Sequence, residues 1–143
     1  MRAAELMRSE VVTIRETDPI EEVLDVLIGE HIHGAPVVND EESLVGVISQ
    51  LDIYFGKMSR DGGANRRSSL PGADPGRQLV ARDVMTTPAV SATEETDVVD
   101  LCRMMYKLRI HRVPIVRGAK VAGIVSSLDV CNALALGKLV VAE

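Results

Sequence analysis

Apolar residues between positions 20 and 28 fall at Ile20, Val23, Leu24, Leu27 and Ile28. That i, i+3, i+4, i+7, i+8 rhythm belongs to a helix with one buried stripe. Its start is marked by Asp18-Pro19, with Asp18 as N-cap, Pro19 as the first helical residue and Glu21 three residues after the cap. Gly29 and the stretch from His31 to Gly34 end it. The rhythm then changes. Residues 35–39 and 44–49 are short apolar runs around the polar tip Asp40-Glu41-Glu42-Ser43, a β-hairpin pattern. A β-rich run at residues 11–14 precedes the helix, and a second helix is expected over residues 50–59. A short lead-in helix ending near Met7 opens the chain.

The same series returns in the second half. A strand is expected at residues 89–91, and Val98, Leu101, Cys102, Met105 and Tyr106 form the helix stripe. Residues 113–117 and 120–126 form the hairpin around Gly118-Ala119, and a last helix over 127–136 is closed by Gly137. The two series are copies. Ala3, Met7, Val12, Glu16, Ile32, His33, Pro36 and Val38 recur 78 positions on as Ala81, Met85, Val90, Glu94, Ile110, His111, Pro114 and Val116. After a deletion in the hairpin turn the shift is 77, and Gly46, Ser49, Leu51 and Asp52 recur as Gly123, Ser126, Leu128 and Asp129. A unit of about 50 residues buries little core alone, so the copies are expected to pack together. The order strand, helix, strand, strand, helix predicts an α/β fold with helices on small sheets. The expected organisation is a first repeat at 1–59, a flexible linker at 60–76 containing Arg66-Arg67, a second repeat at 77–137 and a tail at 138–143.

Composition narrows the function. The 143 residues carry a net charge of −5, which argues against a nonspecific polyanion binder. Tyr54, Phe55 and Tyr106 are the only aromatics, too few for a nucleic-acid stacking surface. No apolar run is long enough to span a bilayer, so a cytoplasmic location without membrane binding is expected. Cys102 and Cys131 read as reduced, buried thiols. His31-x-His33 lacks further ligands at a metal-binding spacing, and no metal site is expected. No nucleophile elbow, Walker loop or dinucleotide glycine motif is present, so enzymatic activity is not expected.

Three motifs occur in order in both copies. They are Glu5-Leu6-Met7 and Asp83-Val84-Met85; His33-Gly34-Ala35-Pro36-Val37-Val38 and His111-Arg112-Val113-Pro114-Ile115-Val116; and Gly46-Val47-Ile48-Ser49-Gln50-Leu51-Asp52 and Gly123-Ile124-Val125-Ser126-Ser127-Leu128-Asp129. On these the chain strongly resembles a CBS-domain pair, or Bateman module. The resemblance implies tandem βαββα repeats related by a pseudo-twofold, with two clefts between them. It implies adenosine ligands (AMP, ADP, ATP or S-adenosylmethionine), no obligatory cofactor, a homodimer, and regulation of an attached enzyme or transporter.

It also implies site residues. Ser49 with Asp52, and Ser126 with Asp129, match the family's Ser/Thr-x-x-Asp that reads ribose and phosphate. The chemistry fits, because an ionised Asp accepts from two vicinal hydroxyls and the Ser stands at a helix N-terminus. The same pattern is also a capping box, and one pair could serve both ends if capping uses the serine oxygen and leaves the carboxylate free. Adenine is placed near Val12, Thr13, Ile14, Gly34, Ala35 and Pro36 in one cleft and near Ala89, Val90, Ser91, Val113 and Pro114 in the other. Arg112, with His111 and Arg109 nearby, makes the second cleft the better phosphate site, since its counterpart is Gly34. The competing reading is a ligand-free structural module that dimerises and braces a partner.

Overall fold

The computed structural model describes residues 1–60 and 78–140. The expected linker, with Arg66-Arg67, lies outside the described residues except for Arg60, as do residues 141–143 of the tail. In chain order the elements are α1 (Ala3–Leu6), β1 (Ile14–Arg15), α2 (Ile20–Gly29), β2 (Gly34–Val38), β3 (Leu44–Ser49), α3 (Gln50–Arg60), α4 (Ala81–Val84), β4 (Ala92–Thr93), α5 (Val98–Leu108), β5 (Arg112–Arg117), β6 (Lys120–Ser126) and α6 (Ser127–Ala135). The fold is α/β.

The chain forms two compact units that cut across the sequence repeats. The first unit is residues 12–89; the second joins residues 1–11 to residues 90–143. Each holds a three-stranded sheet, ordered β1-β2-β3 in the first and β4-β5-β6 in the second. The first two strands of each pair in parallel and the last two antiparallel. The connection between the parallel strands is α2 in one unit and α5 in the other, which covers the sheet as such crossovers do.

Each lead-in segment packs on the body of the other copy. In the second unit Ala3 N donates to Thr96 O at 2.8 Å and Ala4 N to Glu94 O at 3.0 Å. In the first, the counterparts Ala81 N and Arg82 N donate to Asp18 O and Glu16 O at 2.8 and 2.9 Å. The lead-in then runs along the last strand. Arg8 and Ile124 exchange backbone bonds at 2.9 and 3.0 Å, and Thr86 and Val47 exchange them at 2.8 and 3.0 Å. This approach explains the duplicated glycine. A Cβ on Gly123 would stand 2.9 Å from Arg8 O, and one on Gly46 would stand 2.9 Å from Thr86 O.

The cores follow the stripes. Ile20, Val23 and Leu27 of α2 are buried with Ile14, Ala35, Val37 and Ile48. Val98, Leu101 and Met105 of α5 are buried with Val113, Ile115 and Val125. Leu139 of the tail packs against this second core, while Val140 is exposed.

Four sequence expectations are corrected. The opening strands are Ile14–Arg15 and Ala92–Thr93, so of the expected runs 11–14 and 89–91 only Ile14 is strand, because only those residues meet the ladder. The N-cap of α2 is Pro19; Asp18 instead closes a turn by accepting from Arg15 N at 3.0 Å. Ile28 and Tyr106, expected on buried stripes, are 57% and 74% exposed. Of the thiols expected to be buried, Cys102 is half-buried and Cys131 exposed; both are free.

Candidate functional site

The Ser-x-x-Asp segments sit where a strand runs directly into a helix. In the second unit Ser126 ends β6 and caps α6, its Oγ accepting from Asp129 N at 3.2 Å. Asp129 answers through Oδ2, which accepts from Ser126 N at 2.8 Å. In the first unit Asp52 N donates to Ser49 Oγ at 3.1 Å and Ser49 N to Asp52 Oδ2 at 3.0 Å. Both pairs are therefore reciprocal capping boxes. This corrects the expectation that capping would leave the carboxylate free, because the backbone N–H of the cap needs an acceptor and the aspartate is the group within reach.

Capping does not exhaust the carboxylates. An ionised Asp offers about four acceptor positions. Asp129 uses one on Oδ2 for the cap and one on Oδ1 for Arg8 Nε, at 2.9 Å. Asp52 lies 3.5 Å from Thr86 Oγ1 through the same Oδ2 that caps. Asp52 and Asp129 are both buried, at 9% and 8% exposure. Arg8 and Thr86 are counterparts in the lead-in segments, each following the repeated methionine. Sequence reasoning missed both. The 78-residue shift aligns them, but nothing local says that a lead-in residue meets a carboxylate more than 100 positions away in one copy and 34 in the other.

The remaining candidates divide by unit. Gly34 stands opposite Ser49 in the β2–β3 register, and Arg112 opposite Ser126 in the β5–β6 register. Arg112 is thus held beside the cap of α6, half-buried and without a carboxylate partner among the described residues. Val12 is half-buried, Thr13 exposed and Ile14 buried in the first unit, with Ala35 and Pro36 buried next to the half-buried Gly34. In the second unit Val113 and Pro114 are buried, Val90 is exposed and Ser91 half-buried. Ala89 falls in the first unit, at its last residue. His111 is exposed, and its carbonyl accepts from Ser127 N at 2.9 Å. Arg109 is drawn away toward α5, its guanidinium 5.1 Å from the Tyr106 ring centroid.

A groove of about 460 Å3 opens in the second unit between α5 and α6, with Cys102, Tyr106, Arg109, His111, Val130 and Cys131 among its lining residues; it includes neither Ser126 nor Asp129. Burial pushes the Cys102 thiol up, and the charge of Cys131 adds to that. Among the described residues no group of three or more His, Cys, Asp or Glu is placed to hold a metal ion, and no helix is long and apolar enough to cross a membrane.

Known proteins share this fold. An uncharacterized protein of Methanocaldococcus jannaschii is 28% identical over 125 residues, 87% of this chain and 40% of that one. The inosine-5'-monophosphate dehydrogenase of Halobacterium salinarum is 32% identical over 117 residues, 80% of this chain and 20% of the enzyme. The chain spans 20–40% of the length of these and two further curated relatives that it matches. Among solved structures, the CBS domain of a CBS domain-containing membrane protein from Sphaerobacter thermophilus has a TM-score of 0.69 and 30% identity, covering 100% of this chain and 90% of that one. The CBS domain pair of protein MJ0100, solved in complex with 5'-methylthioadenosine and S-adenosyl-L-methionine, has a TM-score of 0.75 at 24% identity, covering 97% and 98%. CBSX2, solved in complex with AMP, has a TM-score of 0.76 at 22% identity, covering 96% and 98%. The CBS domain family matches residues 3–55 and 81–136. The chain belongs to the CBS-domain family and carries the domain twice.

Proposed function

We propose that this chain is a non-catalytic regulatory module whose buried capping aspartates also read the ribose of an adenosine ligand. The observation that carries this is the buried Asp129 carboxylate, fixed by its own helix cap through one oxygen and offering acceptor positions beyond the one the cap uses, in an arrangement whose cap is repeated at Asp52. Structural relatives support the ligand class, since one was solved with AMP and one with S-adenosylmethionine and 5'-methylthioadenosine. Ser126 and Asp129 orient ribose and phosphate, Arg112 pairs with phosphate, and Ser49 and Asp52 serve the second ligand position. The strand residues named above, from Val12 to Pro36 and from Ala89 to Pro114, pack the base. The module works in the cytoplasm as a homodimer and passes the occupancy of its sites to an enzyme or transporter. A ligand shifts such an equilibrium only by its differential affinity for the two states. Support for the dimer comes from Leu51 and Leu128, the same helix position in both copies, which are 65% and 74% exposed.

Titration calorimetry with AMP, ATP and S-adenosylmethionine tests the reading. Asp129→Ala removes charge-assisted hydrogen bonds worth about 1.5–3 kcal/mol, so affinity drops about 10- to 150-fold. If Asp129 only caps α6, the same variant loses about 1 kcal/mol of stability and keeps its affinity. Failure of all three ligands to bind the unaltered protein would leave the ligand-free bracing module as the function.

A further inference from the structure

We infer that Arg8 is a phosphate-selecting residue of the Asp129 site, delivered to it by the N-terminal lead-in. The inference rests on the ribose-reading role proposed for Asp129.

Arg8 reaches Asp129 Oδ1 through Nε, at 2.9 Å. Its side chain is 72% exposed while the carboxylate is 8% exposed, so the guanidinium sits outside the carboxylate. The two terminal nitrogens make no other hydrogen bond or ion pair among the described residues. A guanidinium is planar and always charged, and its terminal N–H pair matches two phosphate oxygens. Arg8 is also held in place. Its own backbone is bonded in both directions to Ile124 of β6, two residues before the Ser126 cap. Arg112 stands opposite that cap on the neighbouring strand. One cation therefore contacts the buried anion directly, and a second stands across the strand pair from the serine that shares its cap. The counterparts of Arg8 and Arg112 in the other copy are Thr86 and Gly34, which carry no charge.

The consequence is a site in which Asp129 accepts sugar hydroxyls on its remaining positions and Arg8, anchored by the same carboxylate, donates to phosphate. A nucleoside monophosphate satisfies both groups. An unphosphorylated nucleoside satisfies only the carboxylate. The choice between them thus depends on a residue outside the recurring motifs, in the segment exchanged between the copies.

The test compares AMP with adenosine by calorimetry, in an Asp52→Ala background so that the Asp129 site reports alone. Arg8→Ala is expected to weaken AMP about 10- to 100-fold and to change adenosine by less than about threefold. Arg8→Lys, which keeps the charge and loses the fork, is expected to recover part of the AMP affinity. Thermal melts of each variant verify that the fold is kept. Equal loss of AMP and adenosine would overturn the inference, since it would make Arg8 a support for the carboxylate. Tighter binding of both would overturn it too, as the arginine would then be obstructing the site. If neither ligand binds while Arg8 is intact, or if Asp129→Ala leaves AMP affinity unchanged, the ribose-reading role itself fails, and the inference fails with it.

Discussion

Replacing Gly123 by alanine should destabilise the second unit, although alanine is ordinarily the more favourable residue. The added Cβ would lie 2.5 Å from Met7 Sδ and 2.9 Å from the Arg8 carbonyl oxygen. The methionine is flexible and moves aside at small cost. The carbonyl is not free to move, because Arg8 is tied to Ile124 by backbone bonds of 2.9 and 3.0 Å. Relief to ordinary contact requires a retreat of about half an ångström, which takes both bonds toward the limit of useful geometry. Overpacking of this kind costs about 1–3 kcal/mol, comparable with losing two hydrogen bonds at about 0.5–1.5 kcal/mol each. Gly29 is the control. It closes α2, nothing lies within 4 Å of its added Cβ, and its backbone is not left-handed, so Gly29→Ala should gain up to about 1 kcal/mol. Urea unfolding of both variants reads the difference, and hydrogen exchange at the amides of Arg8 and Ile124 localises it. A Gly123→Ala protein as stable as the Gly29→Ala protein, with those amides still protected, would refute the account of the repeated glycine.

Two further outcomes follow from surface groups. Glu94 accepts from Arg117 at 2.7 and 2.9 Å, and these hydrogen bonds hold its carboxyl below the ordinary value of 4.5. A depressed folded pKa stabilises fully above the unfolded value and is lost as pH falls through the folded one. Glu94→Gln should therefore be less stable than the unaltered protein at pH 7 and converge with it under strong acid; parallel denaturation curves at both pH values would contradict this. Leu128→Asp places a charge on the exposed α6 position proposed to meet a second copy, and light scattering should show a dimer become a monomer. A monomeric unaltered protein would remove the dimer from the proposal.

Much of this architecture is legible in the sequence for identifiable reasons. The stripes through Val23 and Leu27, and through Leu101 and Met105, mark cores because helix periodicity is a local property. The hairpins are read from paired apolar runs with turn residues between them. Asp18 misleads because one side-chain acceptor suits both a helix cap and a tight turn, and only the chain geometry chooses the turn. Ile28 and Tyr106 mislead because a stripe broader than the covered surface leaves its flank in solvent. The Ser-x-x-Asp pairs are visible by pattern, whereas Arg8 is not, because its meeting with Asp129 depends on which body receives the lead-in. A repeat shows that two bodies and two lead-ins exist; it does not match them.

That matching limits how the gene can be divided. A fragment ending after the first copy would keep an opening segment whose docking surface had been removed. Its own terminal strand would have a bare edge where residues from further along ought to lie. The two halves, made separately and mixed, have a route to mutual completion that neither has in isolation.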